Sequence, residues 1–149
     1  MLALKKTHNR KPKRRDRRAV ATVELAICLP VLIILTLGTI DLCSMLFLRE
    51  SVTIAAYEGA RQGVGRGHTN ADATTRVLEF LDQRNIQHQG AGSVQIDAPG
   101  FDGAETLENV RMTVTVPCAG NLLIPSKMFG DLMMSADVTM RKEYKNLPN

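Results

Sequence analysis

Cysteine is scarce in this sequence, with three residues among 149. Cys28 and Cys43 lie on one predicted helix about 22 Å apart at about 1.5 Å of rise per residue, which is far beyond disulfide reach. For Cys118, a role as a small buried apolar residue is favoured over an intersubunit disulfide. We therefore expect a core that needs no disulfide.

Catalytic and ligand-binding motifs are also missing. The histidines have no Cys, His or acidic partner at metal-ligand spacing; they are His8, His68 and His88. The glycines of 63–67 follow no predicted strand and lack the spacing of a dinucleotide fingerprint, and Asp97, Asp102 and Asp131 lack the spacing of an EF-hand loop. Serine-nucleophile and Walker motifs are absent. The sequence therefore predicts a non-enzymatic protein with no metal and no other cofactor.

The part of the chain that can fold has no excess of positive charge. Residues 1–18 contain nine Lys or Arg and one Asp, a net charge of +8, whereas residues 19–149 contain ten basic and fourteen acidic side chains, a net charge of −4. An acidic fold should repel phosphate groups. A basic nucleic-acid-binding domain is therefore excluded.

No Lys or Arg lies between Arg18 and Arg49. Within segment 19–48 the only charged residues are Glu24 and Asp41, so the segment predicts a membrane-spanning helix. About twenty helical residues cross a hydrocarbon core about 30 Å thick. The helix should therefore extend beyond the membrane by roughly 15 Å.

The basic leader 1–18 predicts the orientation of this helix, because positive residues stay in the cytoplasm. Three other interpretations of the segment are weaker. Its apolar run is longer than that of a cleaved secretory signal, and no Ala-x-Ala-like site follows. A lipoprotein cysteine at Cys28 is disfavoured, because the residue before it is the bulky Ile27 and most of the apolar run lies after it. Arg17-Arg18 alone is weak evidence for twin-arginine export. We predict a protein that crosses the cytoplasmic membrane once, with residues 49–149 outside the cytoplasm. The leader should be disordered and held near anionic lipid.

Apolar periodicity predicts two helices. The first should span about 19–62, turn amphipathic in its second half and end at the glycines of 63–67. The second should span about 71–84, with Thr69 or Asn70 as its cap.

Three segments that alternate apolar and polar residues predict strands at 94–98, 109–116 and 132–141. Turn residues at 99–103 join the first two, and 118–131 should be a loop with a short helical turn. A sheet with one apolar face needs a covering layer, and the protruding half of the first helix is the obvious cover. The predicted fold is α+β: a long N-terminal membrane-spanning helix that extends into a small extracytoplasmic domain with a second helix and a three-stranded antiparallel sheet.

Small residues recur at four-residue spacing on the protruding half of the first helix, at Ala55, Gly59 and Gly63. A glycine inside a helix costs about 1 kcal/mol relative to alanine. Their spacing therefore suggests helix packing, in which the backbone closely approaches a neighbour.

Several short motifs belong together. They are Ala-Val-Ala-Thr-Val-Glu-Leu-Ala at 19–26, then Pro30, Gly38 and Asp41, then Ala-Ala-Tyr-Glu-Gly-Ala-Arg at 55–61, and more loosely Ala-Asp-Val-Thr-Met-Arg-Lys-Glu at 136–143. With the basic leader, this series resembles the TadE-like family of minor pseudopilins, which follow the type IV pilin plan.

The resemblance implies an accessory component of a tight-adherence (Flp-type) pilus or secretion machine in the cytoplasmic membrane. Its partners would be other pilin-like subunits, the pilus assembly machinery and a dedicated prepilin peptidase. In that family the fifth residue of the mature chain is glutamate, which implies cleavage between Ala19 and Val20. Alanine stands here where the family usually has glycine before the cut.

The two acidic residues of the predicted span have different expected roles. A carboxylate at Glu24 near a membrane boundary can be neutralised by a freed amine at Val20 in its own or an adjacent subunit, which would fix subunit register in an assembled bundle. Alternatively, Glu24 reaches the interface without a specific partner. Asp41 lies about 25 Å farther along the helix and is expected to be a solvated boundary residue.

Two functions remain open. The first is a pseudopilin whose helix packs with other pilin-like helices; the second is a signal-anchored extracytoplasmic binding module that keeps its leader. A mature chain that begins at Val20 favours the first, whereas retention of Met1 favours the second.

Overall fold

The computed structural model describes the backbone of residues 14–122 and 132–146, and the side chains of 20–122 and 132–146. The helices are α1 (Arg14–Val64), α2 (Asn70–Gln83) and the short α3 (Gly100–Gly103); the strands are β1 (Val94–Ile96), β2 (Asn109–Pro117) and β3 (Met133–Arg141). The chain divides into two units, the first ending at Gly38 and the second beginning at Thr39. The α+β class is therefore confirmed.

Helix α1 is 51 residues long. Its most apolar stretch of 18 residues has a mean hydropathy of 2.5, and none of that stretch is buried, so by length and composition it can cross a membrane. The helix begins at Arg14, within the leader that was predicted to be disordered, because no helix breaker separates Arg14 from Ala19. It ends at Val64, where the glycine-rich segment starts, close to the predicted end.

Helix α2 begins with a capping box. The Thr69 hydroxyl accepts a hydrogen bond from the Asp72 backbone N–H, and the Asp72 carboxylate accepts one from the Thr69 backbone N–H. These reciprocal bonds satisfy two backbone donors that a helix start leaves unpaired. Of the two predicted caps, Thr69 is therefore the one used. Ala73, Val77 and Leu81 form the buried face of α2.

The three strands form one antiparallel sheet in the order β1-β2-β3. Val94 pairs with Val114, and Val114 pairs in turn with Ala136. The predicted turn at 99–103 contains α3, preceded by a cis peptide bond between Ala98 and Pro99. Of the predicted loop 118–131, residues 123–131 lie outside the described part of the chain.

One face of the sheet packs on α1 and α2 in a single apolar core. The buried members come from α1 (Leu48, Val52, Ala55, Ala56, Ala60, Val64), α2 (Ala73, Val77, Leu81), α3 and its flank (Phe101, Ala104) and β2 and its end (Val110, Met112, Val114, Val116, Cys118). The inward residues of β3 are half-buried at the edge of this core. The second half of α1 is thus the covering layer that the apolar face of the sheet requires.

The expectation that Asp41 is solvated is wrong. Its side chain is 6% exposed. The expectation holds for an isolated helix, whereas the folded unit already begins at Thr39.

Candidate assembly site

The first part of α1, from Val20 to Ile40, presents an apolar surface that none of the described residues buries. Side chains from Val20 to Ile40 are all exposed, including Ile27 and Ile34 at 70% each. Glu24 is exposed within this stretch and, among the residues that the structure describes, no cationic side chain forms an ion pair with it. An apolar surface around the whole helix is stable only in lipid or against other helices.

Two hydroxyl groups in and just beyond this stretch are satisfied within the helix. Thr36 Oγ1 donates to the Leu32 carbonyl at 2.7 Å, and Ser44 Oγ donates to the Ile40 carbonyl at 2.9 Å. Polar hydrogens without a partner are costly in hydrocarbon. These bonds therefore suit a helix that is surrounded by lipid or apolar side chains.

The predicted processing position lies inside continuous helix. Ala19 and Val20 both belong to α1, and the Val20 side chain is 57% exposed. Glu24 follows Val20 by one helical turn, so the backbone places the two positions near each other on the helix surface.

The small residues of α1 lie on its buried face, where the rest of the folded unit approaches the helix. A Cβ added to Gly59 would lie 2.3 Å from Val77 Cγ2 and 3.1 Å from the Ala73 carbonyl, and one added to Gly63 would lie 2.5 Å from the Phe101 ring. Ala55 is fully buried one turn earlier. The neighbours at the two glycines are thus α2, Met112 of β2 and Phe101, all of the same chain.

The opposite face of the same helical element is polar. Tyr57 and Arg61 are exposed, while the Glu58 carboxylate lies 3.5 Å from Arg76 of α2. Arg76 also lies 3.8 Å from Glu79. An open groove with a volume of about 600 Å³ lies between α1 and α2, and its lining includes Glu58, Arg61, Arg76 and Glu79. Because the acidic and basic side chains of the groove already pair with each other, its electrostatic potential does not favour a ligand of either charge.

A buried lysine joins the end of the sheet to the end of α1. Lys142 is 0% exposed, and its Nζ donates to the carbonyls of Gly63 at 2.8 Å and Gly65 at 3.1 Å. A positive group at a helix C-terminus satisfies carbonyls that have no helical partner and complements the helix dipole. Burial lowers the pKa of Lys142 below its ordinary value of 10.5, against the opposing field of the Asp102 and Glu143 carboxylates.

The residues that follow β3 extend this connection. The Glu143 backbone N–H donates to the Val64 carbonyl, and the Asn146 side chain accepts from the Gly67 N–H and donates to the His68 carbonyl. We call residues 142–146 the C-terminal clamp. The alternation of β3 places Lys142 on the same face as Met140, but no sequence motif marks the clamp.

Two further titratable side chains, Cys118 and His88, have surroundings that indicate no catalytic role. Burial raises the pKa of the Cys118 thiol, and His88 Nε2 lies 2.9 Å from the Asp82 carboxylate. Within residues 14–122 and 132–146, no group of three His, Cys, Asp or Glu side chains could hold a metal ion.

Comparison with known proteins adds one finding. No curated protein and no solved structure matches the chain. Residues 19–61 match the family model described as TadE-like protein, and they include Glu24, Pro30 and the small-residue element at 55–61. This match confirms the predicted resemblance and, with the apolar helix, supports membrane association in a pilus-assembly context. Over residues 19–61 the chain is similar to the TadE-like family.

Proposed function

We propose that this chain is a minor pseudopilin, a non-enzymatic single-pass membrane subunit of a tight-adherence (Flp-type) pilus or a related secretion complex. The observation that carries this proposal is the exposed apolar stretch of α1 from Val20 to Ile40, on the same helix that contributes residues between Leu48 and Val64 to the core of the folded unit. One end of the helix offers a surface for lipid and other helices, while the other end holds a folded head. The TadE-like match over 19–61 supports the same assignment.

In this proposal Glu24 sets the register of the subunit among its neighbours. A carboxylate within an apolar helix is expensive unless it gains a cationic partner. The amine created at Val20 by cleavage after Ala19 supplies such a cation one helical turn away in the same subunit, or at the matching level of an adjacent one. Ala55, Gly59 and Gly63 act at the other end of the helix, where they allow the head to pack closely on α1.

The leader 1–18 sets the orientation. Its net charge of +8 retains it in the cytoplasm, so the head lies outside the cytoplasmic membrane. A prepilin peptidase then removes it. Partners of the mature chain are the membrane, other pilin-like subunits and the pilus assembly machinery.

The N-terminus of the membrane-resident protein tests processing. Intact-mass measurement or N-terminal sequencing, on cells with and without the candidate peptidase, should give a chain that begins at Val20 only when the peptidase is present. Ala19, in place of the family's usual glycine, favours the second function, an unprocessed signal-anchored module. Retention of Met1 in both strains would contradict the pseudopilin proposal and support that alternative.

The role of Glu24 is tested by Glu24→Gln, with Glu50→Gln as control because Glu50 lies exposed on α1 beyond the apolar stretch. Loss of a register-setting ion pair should reduce co-purification with pilin-like subunits by about tenfold or more in Glu24→Gln only. Equal co-purification of both variants would show that Glu24 has no such partner. A reporter fused at Asn149 should be active outside the cytoplasm, whereas cytoplasmic activity would contradict the orientation.

A further inference from the structure

A turn before β2 places an apolar side chain in solvent at a strained backbone position. The Glu108 N–H donates to the Glu105 carbonyl across the turn, and Leu107, its third residue, has φ = +68°. Glycine or asparagine is usual where a turn requires positive φ at this place. Among the described residues with positive φ, Leu107 is the one that is neither glycine nor asparagine.

Packing does not account for leucine at this position. The Leu107 side chain is 63% exposed, so it adds little to the core. The strain is maintained by the surroundings, because the Leu107 N–H donates to the Lys142 carbonyl at 2.8 Å and the Lys142 N–H donates to the Glu108 carbonyl at 2.8 Å. A strained residue held in place by its neighbours is typical of a functional surface.

A second exposed apolar side chain lies on the segment beside this turn. Tyr144 is 59% exposed and belongs to the C-terminal clamp, whose Lys145 N–H donates to the Thr106 hydroxyl. These bonds hold turn 105–108 and residues 142–145 side by side. An isolated exposed leucine would need no explanation, but here the turn and the clamp each present one large apolar side chain.

The charged groups of the two segments are mainly acidic. Glu105, Glu108 and Glu143 accompany Leu107 and Tyr144, while Lys142 is buried and Lys145 is already paired with Glu105. Glu108 is half-buried and accepts a hydrogen bond from the Glu105 N–H. The exposed charges, those of Glu105, Glu143 and Lys145, still have a net negative sign. A partner that covers the two apolar side chains gains from positive charge around its own apolar surface.

We propose that Leu107 and Tyr144 are the anchors of a protein-binding surface, and that their partner is a second protein with an apolar pocket bordered by Lys or Arg. A second copy of this chain fits less well, because residues 19–149 have a net charge of −4 and their like charges repel. This surface lies on the folded head and is independent of the proposed processing and helix packing.

Photocrosslinking in intact cells with the full chain tests the proposal. With p-benzoyl-phenylalanine at Tyr144, we expect an adduct with one protein, mapped by mass spectrometry to an apolar pocket with neighbouring Lys or Arg. The photoprobe at exposed Gln95 on β1 is the positional control. In isolated membranes the adduct should weaken as salt rises from about 0.01 M to about 1 M, since the Debye length falls from about 30 Å to about 3 Å.

The substitution Leu107→Gly separates binding from folding. Relief of the strained φ offsets the greater freedom of glycine in the unfolded chain, so Tm should stay unchanged or rise, and leader processing should not change. The Tyr144 adduct should fall by about tenfold or more, as for loss of an interface anchor. Leu107→Asn, which also tolerates positive φ, should behave in the same way.

Several outcomes would overturn the proposal. These are no adduct, an adduct with a second copy of this chain or with lipid, an equal adduct from position 95, or an adduct that both Leu107 variants leave intact. A large fall in Tm in both variants would show that Leu107 serves the fold rather than a partner.

Discussion

Lys142→Met is the most informative single change for the folded unit. Methionine retains the apolar stem of lysine and loses the ammonium group that donates to the Gly63 and Gly65 carbonyls. The backbone bonds of residue 142 to Leu107 and Glu108 remain. The variant therefore removes the side-chain bonds of the C-terminal clamp to the end of α1 and leaves the main-chain contacts in place.

The expected loss follows from the acceptors that remain. An unsatisfied buried polar group costs about 1–3 kcal/mol, and two carbonyls lose their donor. Gly65 is half-buried, so water can replace part of its bond, and removal of a buried charge returns its desolvation penalty. We expect the free energy of unfolding to fall by about 2–4 kcal/mol, a large share of the roughly 5–15 kcal/mol typical of domains.

Thiol labelling of Cys118 can measure this change in the full chain. Cys118 is 2% exposed and reacts only when the core around β2 opens. Cys28 and Cys43 are exposed and are replaced by alanine in all samples. A urea titration in detergent, followed by a brief labelling pulse, then gives the unfolding midpoint and slope for each variant.

Lys145→Met is the matched control. Lys145 is the same residue type three positions later, but it is exposed and pairs with Glu105 at the surface. Such pairs contribute about 0–1 kcal/mol. If Lys142→Met lowers stability no more than Lys145→Met does, the buried lysine is not a significant cap of α1 and our account of the clamp is wrong.

Three further predictions follow from the same contacts. Gly59→Ala should lower the unfolding midpoint, because the added Cβ would lie 2.3 Å from Val77. Such overpacking costs about 1–3 kcal/mol, which exceeds the helix-propensity gain of about 1 kcal/mol. The control Gly38→Ala should not lower the midpoint, because a Cβ there has nothing within 4 Å. The capping bonds from Thr69 lower the pKa of Asp72 from 3.8, so its stabilising contribution is present above about pH 3.8 and is lost as pH falls through the lower folded value. Urea midpoints measured from neutral to acidic pH should show a smaller acid-dependent decrease in Asp72→Asn than in the wild type, and equal decreases would contradict the capping role. Burial lowers the pKa of Lys142 from 10.5, so between the lowered folded value and 10.5 the folded state binds fewer protons than the unfolded state. The stability difference between wild type and Lys142→Met should therefore grow as pH rises through this window, whereas a difference independent of pH would show that the lysine is not desolvated.

Alternation of apolar and polar residues was sufficient to predict the three strands. Val110, Met112, Val114 and Val116 lie in the core, and the polar residues between them are more exposed. The same rule places Lys142 inward, after Met140, but positive charge argues for the surface. The carbonyls that compensate this lysine belong to Gly63 and Gly65, 79 and 77 residues away in sequence. Contacts at this sequence separation depend on the tertiary fold, so no local pattern in the sequence predicts them.

At Leu107 the residue type does not predict the observed backbone conformation. Turn chemistry predicts positive φ from glycine and asparagine, and Asn85 with φ = +54° fits that rule. A leucine gives no such signal, so the turn at 105–108 could be recognised only from its hydrogen bonds. The prediction that Asp41 is solvated failed for a related reason. Its burial depends on the folded unit that begins at Thr39, and the apolar residues around it in the sequence do not indicate that unit.

Helix α1 meets two different physical requirements along its length. From Val20 to Ile40 every side chain is exposed, so the helix needs lipid or other helices on all sides. From Leu48 to Val64 one face is buried in the core, and the small residues there let α2 and Phe101 approach the backbone. Changes in the first stretch should therefore affect insertion and subunit packing without unfolding the head, whereas changes on the buried face of the second should unfold it. The two roles separate by position on one helix because the apolar surface is complete in one stretch and one-sided in the other.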